Sequence, residues 1–154
     1  MSDIRNFRDV LGRYPTGVAI VSAYVEGKAI GVTVNSFASV SLEPPLVLWS
    51  IERATDRHGL FETVDKYVIN ILSSDQAELA KACAMEADLN ACNAKTTGTT
   101  YPLIEGAVAH LNCHRSATYP GGDHDIIVGE VIDMDAPRDV PSLVFYRGKY
   151  GQPG

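Results

Sequence analysis

Small polar side chains interrupt an apolar part of this chain between Gly31 and Ile51. They are Thr33, Asn35, Ser36, Ser39 and Ser41, and two prolines follow them. Interior strands normally carry large β-branched side chains, so these short donors and acceptors mark backbone that a ligand can approach. A phosphate or a flat heteroaromatic ring would fit such a surface. The alternative is a Ser/Thr-rich loop that satisfies its own backbone, the commoner case when such a cluster stands alone.

A second polar group begins where the next apolar run, Leu46 to Ile51, ends. Its members are Ser50, Glu52, Arg53, Thr55 and Arg57. By position, Arg57 is the better anchor for an anion. An ion pair of Arg57 with Asp56 or Glu52 is the alternative, and position alone does not decide between the two.

A histidine follows a glycine pair later in the chain. Gly121 and Gly122 permit a tight backbone turn, which displays His124 at the entrance of a strand. A histidine there can titrate near neutral pH, donate to a carbonyl group or contact a flat ring. A hydrogen-bonded turn histidine is the more frequent case, and Asp123 either orients His124 or caps the turn.

Further candidates are weaker. The run Phe145 to Tyr150 mixes aromatic faces with cations and is aromatic enough to pack, although chain ends are usually mobile.

His110 and His114 lie four residues apart but lack a third ligand at a recognisable interval, so we expect no metal site. The glycine-rich motifs of Rossmann sites and P-loops and the nucleophile elbow of serine hydrolases do not occur. Any nucleotide must therefore bind by another route.

Size and charge limit the function classes. The 154 residues suit one domain, and we expect residues 1–154 to form it. A chain of this size is close to the limit for enclosing a cofactor alone, so we expect a homodimer. Apolar residues make up 45% and charged residues 21%, and the net charge of -6 argues against nucleic acid as a partner.

The N-terminus and the cysteines indicate the compartment. MSDIRNFRDV has no basic region followed by an apolar core, and no apolar run approaches the roughly 20 residues that cross a bilayer. Three cysteines without Cys-x-x-Cys spacing favour reduced, structural thiols. We therefore expect a cytoplasmic protein with no membrane segment.

The sequence predicts that these candidate residues are positioned mainly by β-strands. Apolar runs predict strands over Val18 to Tyr24, Ala29 to Val34, Leu46 to Ile51, Tyr67 to Leu72, Val108 to Cys113, Ile126 to Met134 and Leu143 to Tyr146. A short helix is predicted after Asp3 as N-cap, with Ile4, Phe7, Val10 and Leu11 as its apolar face and Pro15 to Gly17 as its end. Further helices are predicted over Arg57 to Val64, and over Gln76 to Met85 with Asp75 as N-cap. The segment 87–101 lacks apolar periodicity and is predicted as a surface excursion. Because strands and helices do not alternate, a closed antiparallel barrel is the economical fold.

Several segments together resemble the flavin reductase-like family, the FMN-binding split β-barrel proteins that include reductase components of two-component flavin monooxygenases. They are YPTGVAIVSA, GVTVNSFASVSLEPPLVLWSI, YVINILSSDQAELA, PLIEGAVAHLNC, YPGGDHDIIVGEV and VFYRGKYG, in the family's order and approximate spacing. The resemblance covers nearly the whole chain. It implies a mainly β fold with peripheral helices, namely an antiparallel, Greek-key-like split β-barrel that forms a homodimer.

The resemblance also implies which residues bind and react. The cofactor, FMN or else FAD, would contact Thr16, Thr33, Val34, Asn35, Ser36, Ser50, Ile51, Thr55, Arg57, Tyr146 and Arg147. Thr55 and Arg57 would lie at the flavin phosphate. The catalytic residues would be His124 and Asp123, near the face where nicotinamide approaches.

The implied activity is that of an NAD(P)H:flavin oxidoreductase, with NADH or NADPH as the reductant and an oxygenase as a further partner. In this reaction hydride passes from the nicotinamide to the flavin, and the protein fixes the distance between the two rings. A non-enzymatic FMN-binding electron carrier is the main alternative. A related split-barrel oxidase, or a haem- or B6-handling protein, is a third hypothesis.

Overall fold

The structure, a computed structural model, describes residues 3–154 and consists mainly of antiparallel β-strands with three α-helices. The helices are α1 (Ile4–Leu11), α2 (Asp56–Glu62) and α3 (Ala77–Met85), and a 3-10 turn over Ser74–Gln76 leads into α3. The strands are β1 (Thr16–Gly17), β2 (Ala19–Val25), β3 (Lys28–Val34), β4 (Ala38–Leu42), β5 (Pro45–Glu52), β6 (Lys66–Ile71), β7 (Thr96–Thr97), β8 (Leu103–Ile104), β9 (Ala109–Gly121), β10 (His124–Asp135), β11 (Val144–Tyr146) and β12 (Lys149–Gly151). No helix within residues 3–154 is long and apolar enough to cross a membrane.

Seven strands form the main sheet in the order β3-β2-β6-β9-β10-β5-β4, and every neighbouring pair is antiparallel. The edges of the sheet are therefore β3 and β4. Val32 and Val34 of β3 nevertheless share one hydrophobic core with Val47 and Trp49 of β5. The sheet thus curls around its own core until β3 approaches β5, although no backbone ladder among the described residues joins those two strands.

The strand β2 is buried on both faces because it separates two hydrophobic cores. Ala19 and Val21 pack inside the curled sheet, against the core that contains Trp49. Ile20 packs on the outer face, in a second core that includes Ala80 of α3. Burial on both faces explains why this strand is a continuous apolar run rather than an alternating one.

Most of the predicted elements are confirmed. Asp3 caps α1, since its side chain accepts from the backbone N–H of Asn6 at 2.9 Å. The first two predicted strands form the β2-β3 hairpin, whose turn residues Glu26 and Gly27 have φ angles of 52° and 77°. Positive φ at both turn positions matches the right-handed twist of the paired strands.

The predicted N-cap at Asp75 is wrong. Ser73 precedes the helical segment, and its backbone N–H donates to Oε1 of Gln76 at 3.0 Å. Asp75 instead accepts from the Ser73 hydroxyl and from Nη2 of Arg138, and these contacts lower the pKa of Asp75. The N-cap is therefore Ser73, two residues before the predicted Asp75. Ser73 and Gln76, three residues later, form hydrogen bonds to each other's backbone N–H, which is the pattern of a capping box.

Two further segments differ from their prediction. Within the segment 87–101, Leu89 is buried and its backbone N–H donates to Ala29 O at 3.1 Å, so part of this segment extends the sheet at β3. The strand β4 falls within the small polar segment between two predicted strands, where no strand is predicted. Its residues Ser39 and Ser41 pair with β5 and leave their side chains at the edge of the sheet.

The contact between Gly129 and Tyr67 provides a test of core packing. A Cβ atom at Gly129 would press on the Tyr67 hydroxyl and lie 2.9 Å from Tyr67 Cζ and 3.2 Å from Cys113 Cβ. Because Tyr67 is fully buried, Gly129→Ala should lower the free energy of unfolding by about 1–3 kcal/mol in urea denaturation. Gly59→Ala in α2 is the control, since nothing lies within 4 Å of its Cβ and alanine favours a helix by ~0.5–1 kcal/mol. A Gly129→Ala protein as stable as the wild type would contradict this packing.

Candidate functional site

A cavity of about 250 Å³ opens where β3 and β5 approach each other. Its walls are formed by Val32, Thr33, Val34, Asn35, Ser36, Ser50, Ile51, Glu52, Thr55, Arg57, Ala84 and His124. Segments that are far apart in the sequence meet here: the polar end of β3, the end of β5 with the start of α2, and the tip of the β9-β10 hairpin. We call this space the cradle cavity.

Two hydroxyl groups in the cavity wall bind other parts of the protein. Ser36 Oγ accepts from the backbone N–H of Ser50 at 2.9 Å and so bridges the end of β3 to β5. Thr33 Oγ1 donates to Ala80 O at 2.7 Å and fastens β3 to α3. Asn35, by contrast, is exposed. The groups available to a ligand are therefore the exposed amide and the backbone rather than all of the hydroxyls.

The edge of β3 offers a backbone donor to the cradle cavity. The N–H of Gly31 points away from β2 and donates to Ala87 O at 2.9 Å. Backbone groups alternate along an antiparallel strand with a period of two, so the N–H of Thr33 points to the same side. No backbone acceptor among the described residues takes this N–H. It is free to bind a ligand in the gap between β3 and β5.

Arg57 reaches from the start of α2 to the end of α3. Its Nη1 and Nη2 donate to Cys83 O and Ala84 O at 2.9 and 2.8 Å. It forms no ion pair with Asp56 or Glu52 within residues 3–154, so that alternative is not realised. Its Nε is buried and has no partner in the described part of the chain. A permanently charged group at the cavity wall thus keeps one unused N–H donor, which suits an anion.

His124 is the first residue of β10 and lies in the cavity wall, at the strand entrance that the glycine turn predicts. Its Nδ1 is 2.7 Å from Oδ1 of Asp123. The hydrogen bond with His124 lowers the pKa of Asp123, so the carboxylate is ionised at neutral pH and can only accept. Nδ1 of His124 therefore carries the proton, and Nε2 remains for a ligand. Asp123 does not line the cavity; it holds His124.

Asp125 of β10 binds Arg53 and His58, which lie before and after Arg57 in the sequence. Its Oδ2 is 2.7 Å from Nε2 of His58, and its Oδ1 accepts from Nε of Arg53 at 2.8 Å and lies 2.7 Å from Nη2 of the same guanidinium. These hydrogen bonds, led by that of His58, lower the pKa of Asp125. Asp125 was not singled out from the sequence, although one signal was available. Side chains alternate between the two faces of a strand, so Asp125, which follows His124 on β10, must face the opposite side.

Besides Asp123, three candidate residues lie outside the cradle cavity. Thr16 is on β1 opposite Phe145 of β11, and its Oγ1 is buried without a partner among the described residues. Tyr146 and Arg147 line a separate cavity of about 810 Å³ at the C-terminus. The C-terminal hairpin approaches the cradle cavity through Phe145 and Tyr150, which line an adjoining space of about 280 Å³.

His110 is occupied by structural contacts. Its Nδ1 is 2.7 Å from Oδ1 of Asp135, and its Nε2 is 2.8 Å from Ile104 O. No group of three or more His, Cys, Asp or Glu side chains within residues 3–154 is arranged to hold a metal ion.

Known proteins resemble this chain over almost its whole length. Residues 11–154 match the family described as flavin reductase like domain. FMN reductase (NADH) SmoA of Agrobacterium fabrum is 42% identical over 149 residues, which cover 96% of this chain and 85% of that protein. The reductase subunit HsaB of a flavin-dependent monooxygenase from Rhodococcus jostii is 33% identical over 156 residues, which cover 96% of this chain and 77% of that protein.

A solved structure shows the same architecture. NADH:FAD oxidoreductase SgcE6 of Streptomyces globisporus C-1027, in complex with NAD and FAD fragments, superposes with a TM-score of 0.90 and 34% identity. The match covers 99% of this chain and 93% of that one. The predicted mainly β, antiparallel split barrel is thereby confirmed.

The contacts of Asp125 should stabilise the fold in a pH-dependent way. A carboxylate whose pKa is lower in the folded than in the unfolded chain stabilises the fold above the unfolded-state pKa, and this stabilisation is lost as the pH falls through the folded-state pKa. Asp125→Asn should therefore lower the Tm at pH 7, and its difference from wild type should shrink below about pH 4. Asp139→Asn, at an exposed position, is the control. A Tm difference that is the same at pH 3 and pH 7 would contradict this role.

Proposed function

Because the chain belongs to the flavin reductase like domain family, we propose that it is an NAD(P)H:flavin oxidoreductase that binds FMN and reduces it by hydride transfer. FAD is the alternative flavin, and NADH or NADPH is the reductant. The observation that carries the proposal is the convergence of the β3 end, the β5 end and Arg57 on one cavity. When bound, the flavin supplies the ring that accepts a hydride from nicotinamide.

The donors and the shape of the cradle cavity fit a flavin. Its volume of about 250 Å³ is small, but the adjoining space of about 280 Å³ shares Thr33, Val34 and Asn35 as walls. Ligand pockets typically enclose roughly 300–1,000 Å³, which the two spaces reach together. Small side chains leave room for a flat ring, and the free N–H of Thr33 suits the ring's acceptor atoms. We assign ring contacts to Thr33–Ser36, Ser50 and Ile51.

The phosphate end of FMN is assigned to Arg57. The unused Nε–H of Arg57 is a charged donor whose position is already fixed by two hydrogen bonds to α3. A pre-positioned guanidinium loses little freedom when an anion binds. Thr55 lies two residues before it in the same wall, where its hydroxyl donates to Glu52 O at 3.1 Å and would have to turn to meet a phosphate. Thr16 also stays a proposed contact, because its buried Oγ1 has no partner among the described residues.

His124 would orient the nicotinamide or stabilise its charge. Asp123 holds Nδ1–H and thereby fixes the ring, so Nε2 is the atom that faces a ligand's donor or, when protonated, its acceptor. No proton transfer from His124 is required, because the reaction moves a hydride between two bound rings. Asp123 acts through His124 as a positioning residue.

We propose that a second copy of this chain completes the site. Ile4, Phe7, Val10 and Leu11 form the apolar stripe of α1, and each is more than half exposed. Such a stripe is expected to bury itself against a partner. The backbone N–H of Arg147 donates to Gly12 O at 3.1 Å, so the end of α1 is fastened to the C-terminal hairpin beside the cavities. A neighbouring protomer on α1 would therefore lie near the bound cofactor and shield it from water.

An oxygenase that consumes reduced flavin is the proposed protein partner, by analogy with the monooxygenase reductase subunit among the relatives.

The proposed compartment is the cytoplasm, which the three free, buried cysteines support. We further propose that residues 1–154 act as one flavin-binding domain.

The proposed function is tested by titrating the purified protein with FMN and then with NADH under anaerobic conditions. Saturable FMN binding with bleaching of the flavin absorbance on addition of NADH, and catalytic NADH oxidation in air, are the expected results. FMN binding without NADH oxidation would instead favour the electron carrier. Protein that binds neither FMN nor FAD would overturn the assignment.

Removing the His124 ring should impair turnover and spare flavin binding. In His124→Ala, the rate of flavin reduction by NADH in stopped flow should fall about tenfold, which corresponds to ~1.4 kcal/mol of barrier. The dissociation constant for FMN should not change, because the assigned ring and phosphate contacts remain. His114→Ala, at an exposed position on β9, is the matched control. Unchanged reduction by His124→Ala would remove this residue from the mechanism.

A comparison of FMN with riboflavin isolates the role of Arg57. Arg57→Gln should weaken FMN binding about tenfold, since a charge-assisted contact to the phosphate is lost. Riboflavin binding, measured by the same calorimetric titration, should change little because riboflavin has no phosphate. If both ligands weakened equally, Arg57 would serve only to hold α2 to α3.

A further inference from the structure

Two of the three cysteines are in contact between α3 and the segment that follows it. The thiol groups of Cys83 and Cys92 are hydrogen-bonded to each other, and Sγ of Cys92 also donates to Glu86 O at 3.4 Å. Both belong to the second hydrophobic core, the one that includes Ala80. Cys113 belongs to the other core, which contains neither of them. The fold has therefore paired two thiols that are nine residues apart in the chain.

A cavity of about 640 Å³ gives small molecules access to this thiol pair. Cys92 is one of its walls, beside Leu79 and Ala82 of α3. Cys83, which is fully buried, is not one of the described residues that line the cavity. An oxidant as small as hydrogen peroxide that enters this space therefore meets Cys92 first.

The hydrogen bond between the thiols gives them different roles. Burial raises the pKa of both, and the bond to Cys92 raises the pKa of Cys83 further. On the pKa of Cys92 the same bond acts in the opposite direction, because it stabilises the Cys92 thiolate. Since the thiolate is the form that reacts with peroxide, Cys92 is the attacking sulfur and Cys83 the resolving one. Burial makes the reaction slow at neutral pH.

The backbone of Cys83 also holds the arginine that we assign to the flavin phosphate. Cys83 O accepts from Nη1 of Arg57 at 2.9 Å, and Ala84 O accepts from Nη2 at 2.8 Å. A disulfide requires the two sulfur atoms to approach more closely than hydrogen-bonded thiols do. Drawing Cys83 toward Cys92 therefore displaces the two carbonyl groups that fix the guanidinium.

We propose that Cys83 and Cys92 form a reversible disulfide when hydrogen peroxide reaches Cys92, and that this disulfide weakens FMN binding through Arg57. In the first step the Cys92 thiolate attacks one peroxide oxygen, the O–O bond breaks, and the released hydroxide takes a proton to become water. Cys92 is then a sulfenic acid. In the second step the Cys83 sulfur attacks the Cys92 sulfur, the S–O bond breaks, and the hydroxide leaves as water with the Cys83 proton.

The link of this switch to flavin chemistry rests on the proposed function. Reduced flavin that meets dioxygen instead of an oxygenase passes two electrons and two protons to it and produces hydrogen peroxide. The thiol pair would then lower the affinity for FMN when reduced flavin is wasted, and NADH oxidation would slow. Formation of the disulfide itself needs peroxide only.

The first experiment treats the reduced full chain, without flavin, with excess hydrogen peroxide and measures its intact mass and free thiols. The wild type should lose two hydrogen atoms and two of its three thiols, peptide mapping should link Cys83 to Cys92, and dithiothreitol should reverse the change. Cys92→Ser should form no disulfide. In Cys83→Ser, oxidation should stop at a Cys92 sulfenic acid that dimedone traps. Cys113→Ser is the matched control, because it removes a buried thiol from the other core and should behave as the wild type.

The second experiment measures FMN and riboflavin binding by calorimetry before oxidation, after it and after re-reduction. Oxidised wild type should bind FMN about fivefold more weakly, since the charge-assisted contact to the phosphate is disturbed but not removed. Riboflavin binding should not change, and Cys92→Ser should bind FMN equally well before and after peroxide. Circular dichroism checks that each variant and the oxidised protein are folded.

Three results would overturn the proposal: no disulfide in the wild type, a disulfide that involves Cys113 or joins two chains, or a Cys83–Cys92 disulfide that leaves FMN binding unchanged. Because disulfide formation is measured without flavin, failure of the proposed function is recognised separately. A reduced protein that forms this disulfide but binds no flavin would refute the proposed function and with it the regulatory role, while the modification site would stand.

Discussion

The gap between β3 and β5 is the constraint on which the rest of this structure depends. The main sheet curls around one core, but its ends are joined by the Ser36 hydroxyl and by side-chain packing, not by a backbone ladder. A ladder would have used the backbone N–H of Thr33. Inside the curled sheet, Trp49 packs edge-on against Phe61 and Tyr67 at centroid distances of 5.3 and 5.7 Å, which stabilises the core that β3 and β5 share.

Polar groups around the gap serve both the fold and the site. Arg57 uses two of its nitrogens to hold the end of α3, and its buried Nε has no partner among the described residues. Asp125 binds Arg53 and His58 on either side of it, and the backbone N–H of Arg53 also donates to Asp123 O at 3.0 Å. The wall with Arg57 and the turn with His124 are therefore parts of one hydrogen-bonded unit. Such coupling keeps the donors in place before a ligand arrives, which reduces the entropy lost on binding.

The predictions that failed did so for different physical reasons. Asp75 is a reasonable N-cap by residue type, but Ser73 and Gln76 form the reciprocal capping box two residues earlier, and Asp75 instead accepts from Nη2 of Arg138. The edge strand β4 has too many serines to be recognised from composition, and it forms because β5 offers it a partner. Edge pairing is a tertiary effect that local composition does not encode.

The sequence by itself determined the apolar runs that become the central strands, the glycine turn that presents His124, and the small side chains of the cradle, because these depend on local periodicity and local sterics. The tertiary structure alone decided that Arg57 holds α3 instead of pairing with Asp56, and that Tyr146 and Arg147 line a separate cavity. Hydrogen bonds and cavities of this kind join residues that are distant in the chain. Their partners are chosen by how the sheet curls, and no local pattern contains that information.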